Sequence, residues 1–493
     1  MGSICSGKLS VENISLSRSP ITCKEDIRFS TRKFVKENSS SFYAVYELGS
    51  EPLGSGGFGS VWLSTHKRTG DVRAVKILPK STFTEQEIKT RSVFDEVQIL
   101  RSIDHPCIVK VFEYFEDESS YYIVMEHING KDLFDLISDK GRLNEQEAEK
   151  VFRKILLGVS YLHLKNVIHR DLKPENVLVV QMDVNKFEVK IIDFNISMFK
   201  QNENSVAPAG TIDYMAPEVF DGKADEKVDM WSCGVILYLM VTGYLPFGAE
   251  SEEDVKKAIK TGKFSYPPHL ESEISSECKD LISVLLSKNP SNRLSASQAL
   301  NHPFLYQLCE ESCDYSILTE TLNSIKEPTN RSKLREVITT IMISQMSKNK
   351  EIKRAEKYFS AIDTNKDGII TVEELVNMLS VKMPINEAQE QAANIMKILD
   401  VDGSGAIDFS EFLRICLEEE DLLTGENLKK TFDYLDKNGT NQIEKEDLKE
   451  WLNTSEAVSD SIILELMQEA DKNGDGHIDF KEFEELLLGK KAD

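Results

Sequence analysis

Near its carboxyl end the chain repeats one arrangement of oxygen-bearing residues four times, from Asp363, Asp400, Asp436 and Asp471, at intervals of about 36 residues. A unit of that length is a helix, a loop and a helix that cannot bury its apolar face alone, so the copies must pack on one another. The first reads Asp363-Thr364-Asn365-Lys366-Asp367-Gly368-Ile369-Ile370-Thr371-Val372-Glu373-Glu374. Alternate positions carry oxygen, a glycine permits a sharp turn and a glutamate closes the loop, which suits a hard cation such as Ca2+. The expected ligands are Asp363, Asn365, Asp367, the Ile369 carbonyl, Thr371 and Glu374. In the fourth copy they are Asp471, Asn473, Asp475, the His477 carbonyl, Asp479 and Glu482. The second keeps Asp400, Asp402, Asp408 and Glu411, with Ser404 a weaker ligand beside the Ala406 carbonyl. The third departs most. Its set is Asp436, Asn438, Thr440, the Gln442 carbonyl and Asp447, with Asn441 in the place of the glycine. Asp447 is one methylene shorter than the usual closing glutamate and binds through a single oxygen, so weak calcium, magnesium or no ion is expected there.

The loops 363–374, 400–411, 436–447 and 471–482 resemble EF-hands. Ile370, Ile407, Ile443 and Ile478 recur at the eighth position, where paired hands form a short ladder, so two lobes are expected. Just upstream, Leu334, Val337, Ile338, Ile341, Met342 and Met346 follow helical spacing between basic residues such as Lys333, Arg335 and Lys348. Such a basic amphipathic helix is similar to a calmodulin target. The plainer alternative is a helix docked on the preceding domain.

At 493 residues there is room for about three domains. The formal charge of -24 argues against nucleic-acid binding and for cation binding or plain solubility. Eight scattered cysteines lack metal spacing and disulfide density, which fits a reducing compartment. The most apolar run, Trp231 to Phe247, is too short to cross a bilayer and reads as a buried helix. Met1-Gly2-Ser3-Ile4-Cys5-Ser6 fits an acylation signal, with myristate on Gly2 and palmitate on Cys5 as the second anchor that stable membrane attachment needs. Residues 1–41 read as a flexible leader.

Between leader and repeats lies a second ordered series. Leu53-Gly54-Ser55-Gly56-Gly57-Phe58-Gly59-Ser60-Val61 joins two strand-like runs, which suggests a hairpin whose backbone approaches phosphate oxygens. Lys76 sits among alternating apolar residues, and Glu96 lies on a following helix as its prospective partner, preferred over Glu85 and Glu87. His169-Arg170-Asp171-Leu172-Lys173-Pro174-Glu175-Asn176, then Asp193-Phe194-Asn195, then Gly210 to Glu218 complete the series.

These motifs, in this order, resemble those of protein kinases. The resemblance implies that Asp171 accepts the hydroxyl proton, Lys173 steadies the phosphate in the serine/threonine manner, Lys76 meets the ATP phosphates, and Asn176 and Asp193 hold Mg2+. Met125 takes the gatekeeper position, the backbone from Glu126 to Ile128 faces adenine, and Asp132 with Glu175 hints at a basic residue before the phosphoacceptor. Thr211 is expected to bridge Asp171 and Lys173, Glu218 to pair with Arg293, and Asp229 to brace the catalytic loop. Arg170 implies control through the activation loop, where Glu203 could substitute for a phosphate. Asn195 stands where kinases usually have glycine, and asparagine tolerates the left-handed backbone that such a turn needs. The lysine, base and metal aspartate are all retained, so an active enzyme is expected.

Kinase, basic helix and four EF-hands in one chain resemble the calcium-dependent protein kinases of plants and protists. The fold implied is α+β: a bilobal kinase domain over 46–304, a junction with an autoinhibitory helix over 305–354, and an all-α calmodulin-like domain over 355–493. Calcium filling the hands is expected to move the junction and free the cleft. Protein substrates, a monomer and a cytoplasmic site at the membrane face complete the expectation. The alternatives are a calcium-sensing scaffold weakened at Asn195 and a kinase governed by separate calmodulin or by phosphorylation.

Overall fold

The computed structural model describes residues 36–38, 40–57, 59–84, 93–183, 186–200, 210–306, 332–345, 350–400, 403–417, 422–452 and 460–489. Gly2, Cys5, Phe58, Glu85, Glu87, Glu203 and Asp402 lie outside them.

The small lobe is a six-stranded sheet in the order β1-β5-β6-β4-β3-β2. Its strands are β1 (Lys36–Asn38), β2 (Tyr46–Gly56), β3 (Gly59–His66), β4 (Val72–Pro79), β5 (Val111–Glu116) and β6 (Ser120–Glu126). Residues up to 41 were expected to be flexible, and their last part is not. Lys36–Asn38 pairs in parallel with β5, and Asn38 Nδ2 donates to the Glu113 carboxylate at 2.8 Å. Phe42 then stacks on Tyr122 with ring centroids 4.7 Å apart, which gives this stretch an apolar anchor.

β4 is covered on both faces, with Arg73, Ala74, Val75 and Lys76 buried in succession, and the helix Val93–Ser102 brings Glu96 to Lys76. In the large lobe, Asn144 and Glu147 form a capping box that starts the helix Glu145–Leu164. Lys227–Thr242 is buried along nearly its whole length because it is apolar on every side. The Arg293 side chain, wholly buried, is held by both carboxylate oxygens of Glu218, with Nη2 to Oε2 at 2.8 Å, and by the Lys227 and Ser287 carbonyls.

The carboxyl-terminal module is helical apart from two short ladders, Ile370 opposite Ile407 and Ile443 opposite Ile478, as the recurring isoleucines require. The first helix of its first hand spans Lys350–Ile362, so the module starts before residue 355. The junction helix Lys333–Gln345 does not stand apart from it: Leu334, Val337, Ile338 and Ile341 belong to the same apolar core as Phe359, Phe412, Phe432 and Phe483.

Replacing Glu218 by Gln leaves the buried guanidinium without its counter-charge. It should lower stability by about 3–5 kcal/mol, which thermal denaturation of the full chain would report.

Candidate functional site

The glycine-rich run is a hairpin, with Gly54 opposite Val61, Ser55 opposite Ser60 and Gly56 opposite Gly59. Leu53 and Gly54 to Gly57 are exposed. Gly59 answers to packing: a Cβ there would lie 2.1 Å from the Ile77 carbonyl of the neighbouring strand.

Beneath the hairpin, the Lys76 ammonium donates to Glu96 at 2.7 Å, Asp193 at 2.8 Å and the Asn195 side-chain carbonyl at 2.7 Å. Burial alone would lower the lysine pKa, but the charges of Glu96 and Asp193 outweigh it and raise it. For Asp193, burial pushes upward and the Lys76 charge overcomes it, so the carboxyl is held ionised. Phe194 is fully buried against the His169 ring, 4.8 Å between centroids.

Asn195 was expected to carry the left-handed backbone of this turn. That residue is instead Asp193, with φ 64°. The side chain at 195 is used differently, as an acceptor that no glycine could supply. An ammonium has three N–H donors, and at Lys76 all three are engaged.

In the catalytic loop, Asp171 Oδ1 accepts from the Thr211 amide at 2.9 Å and hydroxyl at 3.1 Å. Its Oδ2 lies 3.2 Å from both Lys173 Nζ and Asn176 Nδ2. Lys173 also donates to the Thr211 hydroxyl at 2.9 Å, so Thr211 bridges the two. Asn176 Nδ2 is engaged by the Asp171 carbonyl at 2.8 Å, which leaves its carbonyl oxygen as the end available to a cation. Asp229, fully buried, accepts from the His169 and Arg170 amides at 2.9 and 2.8 Å and so sets the loop's path. Arg170 sits at φ 69° and donates to the Ile196 carbonyl at 3.3 Å. The set fits a nucleotide with a divalent cation: a held cationic lysine, an ionised aspartate and exposed glycine backbone converge there.

Met125 packs against the core at the end of β6. The Glu126 amide donates to the Lys110 carbonyl at 2.9 Å, and its carboxylate accepts from the Lys110 amide at 2.9 Å and pairs with Lys190 at 2.6 Å. The Ile128 carbonyl accepts from the Gly130 amide at 3.0 Å. Asp132 caps the helix Leu133–Lys140 through the Asp135 amide at 2.7 Å, and Glu175 is exposed.

In the first loop, Asp363 and Glu374 are buried. Burial, with Asp367 and Glu374 close by, pushes the Asp363 carboxyl up to about 7, an electrostatic load that a bound cation would relieve. Glu374 accepts from the Asn365 amide at 3.2 Å and the Thr371 amide at 2.9 Å, which folds both ends of the loop around it; the Asp367 carboxylate holds the Ile369 amide at 3.1 Å. In the fourth loop Glu482 likewise accepts from the Asn473 and Asp479 amides at 3.2 and 3.1 Å, while Asp475 holds the His477 amide at 2.9 Å. In the second, Asp400 takes the Ser404 amide at 2.8 Å and Glu411 the Asp408 amide at 3.0 Å; the Ser404 hydroxyl donates to the Ala406 carbonyl at 2.9 Å. The third loop keeps the same path, with Asn438 accepting from the Thr440 amide at 3.1 Å, the Thr440 hydroxyl on the Gln442 carbonyl at 3.1 Å and Asp447 on the Glu444 amide at 2.9 Å.

The sensor module rests against the kinase domain. The junction helix ends there, with the Gln345 carbonyl accepting from Arg73 at 2.9 Å and the Ile343 carbonyl from Lys110 at 3.2 Å. Gly368 of the first loop lies so close to Tyr161 and His105 that a Cβ would sit 2.7 and 2.9 Å from their rings, and Lys353 pairs with Glu188 at 2.6 Å. Sequence reasoning missed this seat, because nothing at Gly368 beyond its role in the loop signals a neighbour across the fold.

A protein kinase domain model matches residues 47–305, and an EF-hand domain pair model matches 352–417 and 426–488. The chain is 34% identical over 469 residues to calcium-dependent protein kinase 4 of Plasmodium berghei, covering 92% of this chain and 88% of that protein. It is 34% identical over 469 residues to calcium-dependent protein kinase 5 of Plasmodium falciparum, covering 93% and 81%. To calcium-dependent protein kinase 3 of Plasmodium berghei it is 32% identical over 476 residues, covering 94% and 84%.

Asn195→Gly frees one Lys76 donor for a phosphate oxygen. The KM for ATP should fall about tenfold with kcat little changed, the scale of one hydrogen bond to a charged group. Steady-state kinetics at saturating calcium would measure it, and an unmoved KM would mean that the amide yields without cost.

Proposed function

Since the chain belongs to the calcium-dependent protein kinase family and is a calcium-activated serine/threonine protein kinase, we propose that Asp171 receives the substrate hydroxyl's proton while Lys76 and Lys173 hold the phosphates. The observation that carries this reading is the bridge from Asp171 through Thr211 to Lys173, which fixes base and cation relative to one another before substrate arrives. Asn176 and Asp193 would hold Mg2+, which would neutralise charge on the phosphoryl group that ATP would supply. The Glu126 to Ile128 backbone receives adenine beside Met125. Asp132 and Glu175 favour a basic residue ahead of the acceptor serine or threonine: Glu175 is exposed, and Asp132 caps the helix Leu133–Lys140.

In this proposal the junction blocks the cleft when calcium is low, and calcium filling the first, second and fourth hands draws it away. The burial of Leu334, Val337 and Ile341 among the hands' own side chains supports the released half of that cycle. The chain acts as a monomer at the cytoplasmic face of a membrane, held by acyl groups on Gly2 and Cys5. No helix among the described residues is long and apolar enough to cross a membrane, so attachment would rest on those groups.

Peptide phosphorylation by the full chain, with calcium and with chelator, tests the cycle. Activity should collapse in chelator and should need more calcium after Glu374→Gln or Glu482→Gln. Full activity in chelator would refute the block. Asp171→Asn should lower kcat by about 10²–10⁴-fold with calcium binding intact.

A further inference from the structure

The third calcium loop differs from its companions in what its leading acid holds. Arg68 lies in the turn between β3 and β4 of the kinase small lobe. Its guanidinium reaches Asp436, the first residue of the loop, with Nη2 2.8 Å from Oδ2 and Nη1 donating to the backbone carbonyl, and it also meets Asp433 at 3.2 Å. The Asp436 side chain has no exposed surface.

A carboxylate offers about four lone-pair sites. On Asp436 every one is taken: Oδ1 by the amides of Gly439 at 3.0 Å and Thr440 at 3.1 Å, Oδ2 by the amide of Asn441 at 2.9 Å and by Arg68. The corresponding acids bond within their own loops. Asp363 takes the Asp367 and Gly368 amides, Asp400 those of Ser404 and Gly405, and Asp471 those of Gly474 and Gly476. The rest of the third loop is suited to the same end. Asn441 adopts φ 62° in the place of the glycine, so the turn closes with a residue whose amide also serves Asp436. With Asp436 taken by Arg68, the loop keeps Asp447 and, at the place of Thr371, Glu444, whereas the first loop has Asp363, Asp367 and Glu374 to hold an ion. A divalent ion there would face a fixed guanidinium with little charge to hold it.

Arg68 is also part of a wider contact. The hydroxyl of Tyr434, two residues before Asp436, donates to Asp71 at 2.7 Å and accepts from Arg73 at 3.0 Å. Lys430 pairs with Asp71 at 3.1 Å.

We propose that the third EF-hand loop is a receptor for the guanidinium of Arg68 and not a cation site, so that its leading aspartate joins the carboxyl-terminal sensor lobe to the kinase small lobe. Calcium then enters the other three hands alone. Bound-ion count and amide exchange are independent of catalysis, so a kinase indifferent to calcium would sink the reading of function and leave this one standing.

The test uses the full chain with excess calcium. Bound calcium is counted by equilibrium dialysis, and amide exchange is followed over residues 64–71 and 430–441. Wild type should hold three ions. Asp436→Asn should leave that count unchanged and speed exchange in both segments by about tenfold, the scale of one lost hydrogen bond to a charged group. Arg68→Ala, which leaves the loop's own residues intact, should speed both segments equally, and the double variant should add nothing more. Four ions on wild type, one ion lost in Asp436→Asn, or unaltered exchange in Arg68→Ala would each overturn the proposal.

Discussion

The apolar face of the helix Lys333–Gln345 has to be covered, and everything else in this chain is arranged around where. Leu334, Val337, Ile338, Ile341 and Met342 each have almost no exposed surface. At about 1.5–3 kcal/mol for a buried side chain of this kind, such a face carries roughly 10 kcal/mol and does not remain in water. Here it is enclosed by the helices of the hands, with the Leu334 amide donating to Glu469 at 2.9 Å at its start. While it is enclosed there the same helix cannot lie anywhere else, the mutual exclusion on which the proposed release of the cleft rests.

At the cleft the decisive feature is saturation of charge. Lys76 answers to Glu96, Asp193 and Asn195 together, and Asp171 to Thr211, Lys173 and Asn176. Few of these groups have freedom to reorient, so the geometry for phosphoryl transfer is set in the folded chain. Asp229 extends that order into the backbone, through the amides on which the loop hangs.

What the sequence disclosed follows the reach of its signals. Lys76 with Glu96, Glu218 with Arg293 and the isoleucine ladders could be read because each is tied to a motif whose spacing demands the partner. The bond from Asn195 to Lys76 could not, since the substitution signalled a backbone conformation and the structure uses the side chain. The pairing of Lys36–Asn38 was hidden by a leader without periodicity, where a short parallel edge strand leaves no alternation to detect. Arg68 and Asp436 are 368 positions apart, and an ordinary surface arginine in a turn carries no mark of which acid it will find.

The sensor module touches both halves of the kinase at once. Gly368 sits against Tyr161 of the large lobe, and Tyr434 meets Arg73 of the small lobe, whose guanidinium lies 3.7 Å over the Phe112 ring. A body fastened on either side of a pivot stiffens the pivot. Opening and closing of the nucleotide cleft must therefore shear one of these seats, and the rate at which spent nucleotide escapes becomes a property of residues that never meet it.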